Sequence, residues 1–273
     1  MVDLGTSPEG GWNLPVVALS QDEIDYVRER LGLDALPVVL GGATVHGSAS
    51  AHRTAMQSAA DSLSERDLLP GGEIHHDLSA RLRVLTHPKW ELALRRHVGG
   101  SISRLCVAQG EFLCVEATST DSSFALRSVT AEPTAPVVTA LGSAEAMPIA
   151  VINAPTEMLS LAFGAGPDAG SVTSALINAG IPEDDARQLG SAIVTCTAFA
   201  ELVGIPHSLG ATTLMTGAVT VYDTLSGRLV GSTTRAADGT EWTSISSGTS
   251  HRLRQAVNAL VTELEESAPE TSG

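Results

Sequence analysis

Hydrophobic periodicity switches from helical to strand spacing twice along this chain, and that double switch constrains the fold more than any single motif. In the first pass Ile24, Val27 and Leu31 form one helical stripe, and Met56, Ala59, Ala60 and Leu63 form another over about 50–66. A third helix is expected to start at Asp77 as its N-cap, with Leu78, Leu82 and Leu85 facing inward. Trp90, Leu92 and Leu94 then alternate with Glu91, Ala93 and Arg95, and further strands are expected at 103–108, 111–117 and 123–129 before a short helix at 136–141. The second pass places helices at 171–179 and 182–194, strands at 196–203, 217–223, 228–234 and 240–246, and a last helix over about 250–265. Helix, four antiparallel strands, helix thus occurs twice, as a likeness of element order and not of residues. The expected fold class is α+β, with two quasi-repeated halves, each an antiparallel sheet flanked by helices. The halves fall at about 14–145 and 146–266 of one domain, between mobile tails at 1–13 and 267–273.

Local chemistry marks several ends. A short strand at 14–19 leads into Ser20 and Glu23, the capping box that satisfies two orphan backbone N–H groups, and Gly32 stops the first helix in the left-handed conformation. Glu183, Asp184 and Asp185 suit the positive end of a helix dipole, and Gly227 and Asp238-Gly239 supply turns. A turn at Gln109-Gly110 sets Cys106 opposite Leu113 and Cys114 opposite Leu105, so these thiols face opposite ways. A disulfide between them is therefore not expected, and three free cysteines in a reducing compartment are the favoured reading.

Charge narrows the partners. Acidic residues outnumber basic ones 31 to 16, a formal charge of −15, which repels phosphate backbones and anionic membranes. A hydrophobic fraction of 43% supports a globular core, yet no apolar run approaches a membrane span and no secretory signal opens the chain. A cytoplasmic protein that binds neither nucleic acid nor membrane is expected.

Motifs for catalysis are scarce. The glycine-rich stretches lack the lysine and strand-loop-helix setting of a phosphate cradle, and Ser208-Leu209-Gly210 is not a nucleophile elbow. His75-His76-Asp77 is the strongest metal candidate, and a metal-dependent enzyme built on it is one rival reading. Adjacent histidines diverge within a regular element, and zinc wants further ligands at a definite spacing, so a solvated helix N-terminus is the favoured reading. No catalytic residue, metal or cofactor is expected.

The stretch Val219-Thr-Val-Tyr-Asp223-Thr224-Leu-Ser-Gly227-Arg228, then Asp238-Gly239-Thr-Glu-Trp242 and the helix after Gly248, resembles the C-terminal half of the EspG family, the type VII secretion chaperones of mycobacteria and related actinobacteria. Leu31-Gly32-Leu33, Leu36-Pro37, Leu68-Leu69 and His87-Pro88-Lys-Trp90-Glu-Leu92-Ala-Leu94-Arg95 resemble its N-terminal half. Leu225 and Ser247 stand where the family often has proline in turns. The resemblance implies a cytosolic α+β chaperone, a monomer or weak dimer when free, that binds the tip of a PPE protein within a PE–PPE heterodimer and keeps it soluble for a type VII (ESX) secretion system.

Such a binder needs an exposed apolar patch with a polar rim. Val98 and Ile102, in the glycine-bearing loop 97–102, are the first candidates, and the resemblance makes this loop partner-facing. Phe199, Val203, Ile205 and Leu209 are the second group, with Arg95, Arg96 and Arg127 as charged contacts. An obligate homo-oligomer paired through exposed sheet edges is the other rival.

Overall fold

The computed structural model describes residues 14–41, 46–120, 123–207 and 217–267. Its first half runs β1 (Val17–Ser20), α1 (Gln21–Leu31), α2 (Ala49–Glu65), α3 (His76–Thr86), β2 (Trp90–Val98), β3 (Ser101–Gln109), β4 (Cys114–Ser119), β5 (Ser123–Val129) and α4 (Ala135–Leu141). The second runs β6 (Ile152–Pro155), α5 (Thr156–Phe163), α6 (Ala169–Asn178), α7 (Glu183–Ile193), β7 (Cys196–Pro206), β8 (Ala218–Thr224), β9 (Gly227–Arg235), β10 (Glu241–Ser247) and α8 (Ser250–Ser267). Each half is therefore strand, three helices, four strands, helix. The sequence reading lacks β6 and α5, because four edge residues and an eight-residue helix are too short to show a period.

Among the described residues all ten strands form one sheet in the order β1-β5-β4-β3-β2-β7-β8-β9-β10-β6. Reading outward from the β2–β7 seam, β3, β4, β5, β1 on one side match β8, β9, β10, β6 on the other, which is an approximate two-fold axis. The seam is antiparallel along its whole length, from Trp90↔Pro206 to Val98↔Ala198. The fold class is thus the expected α+β, with the two half-sheets fused into one.

Apolar faces sort the helices into layers. Ile24, Val27, Leu63, Leu78, Leu82 and Leu85 of α1–α3 bury against Ala93, Cys106, Ala108, Val115, Ala117 and Leu126 on one face of the sheet. On that same face α5–α7 pack Leu159, Val172, Leu176 and Leu189 against Leu229 and Ile245. The opposite face buries Leu92, Leu94, Leu202, Val219 and Val221 beneath α4 and α8, whose Leu253, Val257, Leu260 and Leu264 form one stripe. Among the described residues no helix is long and apolar enough to cross a membrane.

Caps behave as expected at α1. Ser20 Oγ accepts the Glu23 N–H at 3.2 Å, Glu23 Oε2 accepts the Ser20 N–H at 2.7 Å, and Gly32 closes the helix at φ 62. At α3 the expectation is corrected. His75, not Asp77, is the N-cap, its Nδ1 accepting the Asp77 N–H at 3.2 Å. Asp77 lies inside the first turn and is wholly buried, so this helix start is not simply solvated.

Two hairpins also differ from the sequence reading. The β3–β4 connection spans 110–113, pairing Gln109 with Cys114 and Cys106 with Ala117, because the Gly110 N–H donates to the Leu113 carbonyl at 2.8 Å. Cys106 and Cys114 still bury into opposite faces, and all three thiols are free. The segment 97–102 is not an open loop: His97 pairs Ile102 and Val98 pairs Ser101, leaving only Gly99 and Gly100 at the turn. Their φ values of 55 and 86 are what a two-residue type I′ turn demands and what glycine supplies without strain.

The Asp223–Arg228 motif is architectural. Arg228 grips Asp223 with Nε–Oδ1 at 2.6 Å and Nη2–Oδ2 at 2.9 Å, while Nη1 and Nη2 donate to the Gly142 and Leu141 carbonyls that end α4. Thr224 Oγ1 donates to the Gly227 carbonyl and accepts the Ser226 N–H, fixing the β8–β9 turn. With proline absent at Leu225, this hydroxyl holds the turn.

Candidate functional site

Between the α1–α3 and α5–α7 layers, no described helix covers the ends of β3, β2 and β7 beside the Gly99-Gly100 turn on one face. Ile102, Arg95 and Glu201 are exposed there, and His97 and Phe199 are half-buried. Strand register aligns these side chains in rows across the sheet.

The row nearest the turn is apolar and aromatic. Register places Ile102 beside His97, His97 beside Phe199, and Phe199 beside Tyr222. Ring centroids are 6.2 Å apart for His97–Phe199 and 5.1 Å for Phe199–Tyr222. Phe163 of α5 meets Tyr222 edge-on at 5.7 Å, so the row ends against the second helical layer. In a chain with only 3% aromatic residues, this concentration marks the spot. Burial pushes the Tyr222 phenol up to about 12, so it stays a neutral donor at ordinary pH.

The next row is charged and polar: Arg104, Arg95, Glu201 and Thr220 are cross-strand neighbours. Beyond it Ala93 stands beside Val203, and Glu91 beside Ile205. Val203 and Ile205 pack against the first-half core and carry the trough floor toward the far end of the sheet.

The sequence-nominated residues therefore divide. Arg95, Ile102, Phe199, Val203 and Ile205 share the trough face. Val98 points to the opposite face with Ala198, as alternation along β2 requires. Arg96 also faces that way and reaches Asp223 Oδ2 at 3.5 Å. Arg127 lies near the other end of the sheet, its Nε donating to Glu116 Oε2 at 2.6 Å. Leu209 lies outside the described residues. Tyr222, Arg104 and Glu201, which the sequence reading did not nominate, and the place of His97 between Ile102 and Phe199 become visible only through register, which no local pattern carries.

The His75-His76-Asp77 cluster forms a second constellation, at the start of α3. The imidazole rings stack with centroids 4.8 Å apart and planes 21° apart, so the expected divergence does not occur. His75 precedes the helix with φ −50 and ψ 132, and that break in regular structure lets the two rings turn together.

The chain is thus a two-fold α+β protein, one antiparallel sheet with helical layers on both faces. The EspG family model matches residues 20–259, and the chain belongs to the EspG family. Among solved structures it is similar to the Mycobacterium tuberculosis type VII secretion system chaperone EspG5, determined in complex with a PE25–PPE41 dimer. That likeness has a TM-score of 0.73 at 16% identity and covers 94% of this chain and 98% of that one, which establishes a common fold. A putative adenylate cyclase from Bacillus halodurans overlaps at 9% identity over 68% of this chain and 79% of that one, with a TM-score of 0.12 at which no fold is shared. No curated protein matches the sequence significantly.

Proposed function

We propose that this protein is a cytoplasmic, non-catalytic secretion chaperone that binds a PE–PPE heterodimer through the tip of the PPE protein and keeps it soluble for a type VII system. The observation that carries the reading is the uncovered Ile102–His97–Phe199 row in a chain of the EspG family. Aromatic and aliphatic groups left open beside a charged row supply an apolar centre with a polar rim, the anatomy of a protein interface. The free protein is a monomer or weak dimer in this reading, and the client occupies the trough only in the complex.

The test is co-expression with PE–PPE pairs of the same organism and affinity capture. Ile102 is 37% exposed and Val98 is 42% exposed, and both lie in the β2–β3 ladder, so Ile102→Asp and Val98→Asp each cost roughly 1–2 kcal/mol in strand propensity and partial apolar burial. Because they point to opposite faces, each reports on one side of the hairpin. Ile102→Asp combined with Phe199→Ala is expected to weaken capture at least tenfold, roughly the loss of one interface anchor, with an unchanged circular dichroism spectrum. Undiminished capture by that folded double variant removes the trough from the interface, and loss with Val98→Asp alone moves the contact to the opposite face.

A further inference from the structure

We propose that His75, His76 and Asp77 form a binding site for a first-row transition metal ion, zinc foremost, at the start of α3. Asp77 is wholly buried, and its Oδ2 accepts the Leu14 N–H at 2.9 Å. Its Oδ1 is buried without a hydrogen-bond partner and faces His76 Nε2 at 2.8 Å. A buried carboxylate oxygen with unused lone pairs is costly, and native structures rarely leave one so. Arg81, one turn on, contributes its field but directs its hydrogen bonds to the Leu14, Pro15 and Leu126 carbonyls and to Ser128 Oγ. Among the described residues the unused oxygen thus points at the His76 imidazole and at nothing else that bonds it.

Two imidazole nitrogens and one carboxylate oxygen are a donor set for zinc, copper or nickel, and a poor one for calcium or magnesium, which want oxygens. The donor atoms lie within 4.8 Å of one another, against roughly 3.4 Å between ligands on a tetrahedral zinc. The His76–Asp77 separation is already inside that limit, and the His76 side chain, 77% exposed, has room to turn. His75 Nδ1 presents a lone pair, now accepting the Asp77 N–H at 3.2 Å, and an ion would take it in exchange for that long bond. The helix dipole and the Arg81 guanidinium both oppose a cation here, and the Asp77 charge offsets them in part. Three protein ligands leave a position open to water or to a donor from another chain. The site is independent of the chaperone reading, and either can fail alone.

Tag-free protein, stripped with a chelator and exchanged into chelator-free buffer, is titrated calorimetrically with zinc chloride. The expected result is one equivalent bound, with affinity about tenfold weaker or more in His76→Ala and His75→Ala, since each removes a ligand. Cobalt chloride is expected to give the visible bands of a four- or five-coordinate ion, absent from the same variants. Asp77→Asn tests the buried ligand where it folds, and the exposed His76→Ala decides the matter where it does not. A flat zinc titration, or an isotherm that both histidine variants leave unchanged, overturns the site.

Discussion

At position 228 an arginine is only 3% exposed, yet the groups around it accept its hydrogen bonds. Arg228 balances Asp223 and completes the end of α4 at once, so removing it leaves Asp223 only the longer Arg96 contact at 3.5 Å and strips two carbonyls of their donor. Arg228→Ala is therefore expected to lower unfolding free energy by about 3–5 kcal/mol, the range for breaking a buried pair, measured by urea denaturation. Arg228→Lys should recover only part of that loss, because an ammonium cannot reproduce the planar fork. The cysteines make a second residue-scale case. Burial pushes the Cys106 thiol well up, with Glu91 beside it adding to the effect, and burial pushes Cys114 up to about 12. At pH 8 a thiol of that acidity is roughly one part in ten thousand thiolate. A thiol reagent should modify half-exposed Cys196 first and reach the other two only in denaturant. The folded values lie above the unfolded one, so the stability held by the neutral thiols is present below about pH 9 and lost as pH rises past it. Prompt labelling of all three thiols in the native protein at pH 8 contradicts this packing.

At the scale of elements, identical changes at two glycines separate backbone conformation from packing. Gly99 sits at φ 55 in the β2–β3 turn with nothing within 4 Å of an added methyl, so Gly99→Ala should cost about 1–2 kcal/mol, the left-handed penalty alone. Gly248 precedes α8, and a methyl there would stand 2.5 Å from the Arg228 carbonyl oxygen and inside its side chain. Gly248→Ala should therefore cost about 3 kcal/mol or more, the upper end of overpacking. Thermal melts of the two variants decide the order, and equal losses would mean the close approach is relieved elsewhere. These elements also show what the sequence makes legible. Helices with a full stripe, such as α1 and α8, read correctly because periodicity and caps are local signals. The trough reads only in part. Ile102 is visible as an apolar residue in a glycine-bearing turn and Phe199 as an apolar strand residue, but their meeting through His97 depends on pairing β2 with β7, about a hundred residues apart, and that pairing leaves no local trace. Val98 shows the same limit from the other side: its exposure is legible, its face is not.

The whole molecule is a single sheet whose halves share their central seam and one of their cores. Trp90, Leu92 and Leu94 from the first half bury with Ala200, Leu202 and Val219 from the second, beneath α4 and α8. Cutting between the halves would expose that shared layer and leave β2 and β7 as long unpaired edges, which nucleate aggregation. The two-fold likeness of the halves is thus a likeness of plan and not of autonomy. Urea unfolding is expected to be one cooperative transition, coincident by tryptophan fluorescence and circular dichroism, since Trp90 lies in the shared core while helices of both halves supply the ellipticity. Residues 1–145 and 146–273 expressed separately should be insoluble or lack cooperative melts, and co-expression should restore solubility by rebuilding the seam. Two separable transitions in the intact chain, or a soluble half with its own sharp melt, would show that the seam is an interface between domains and not the middle of one core.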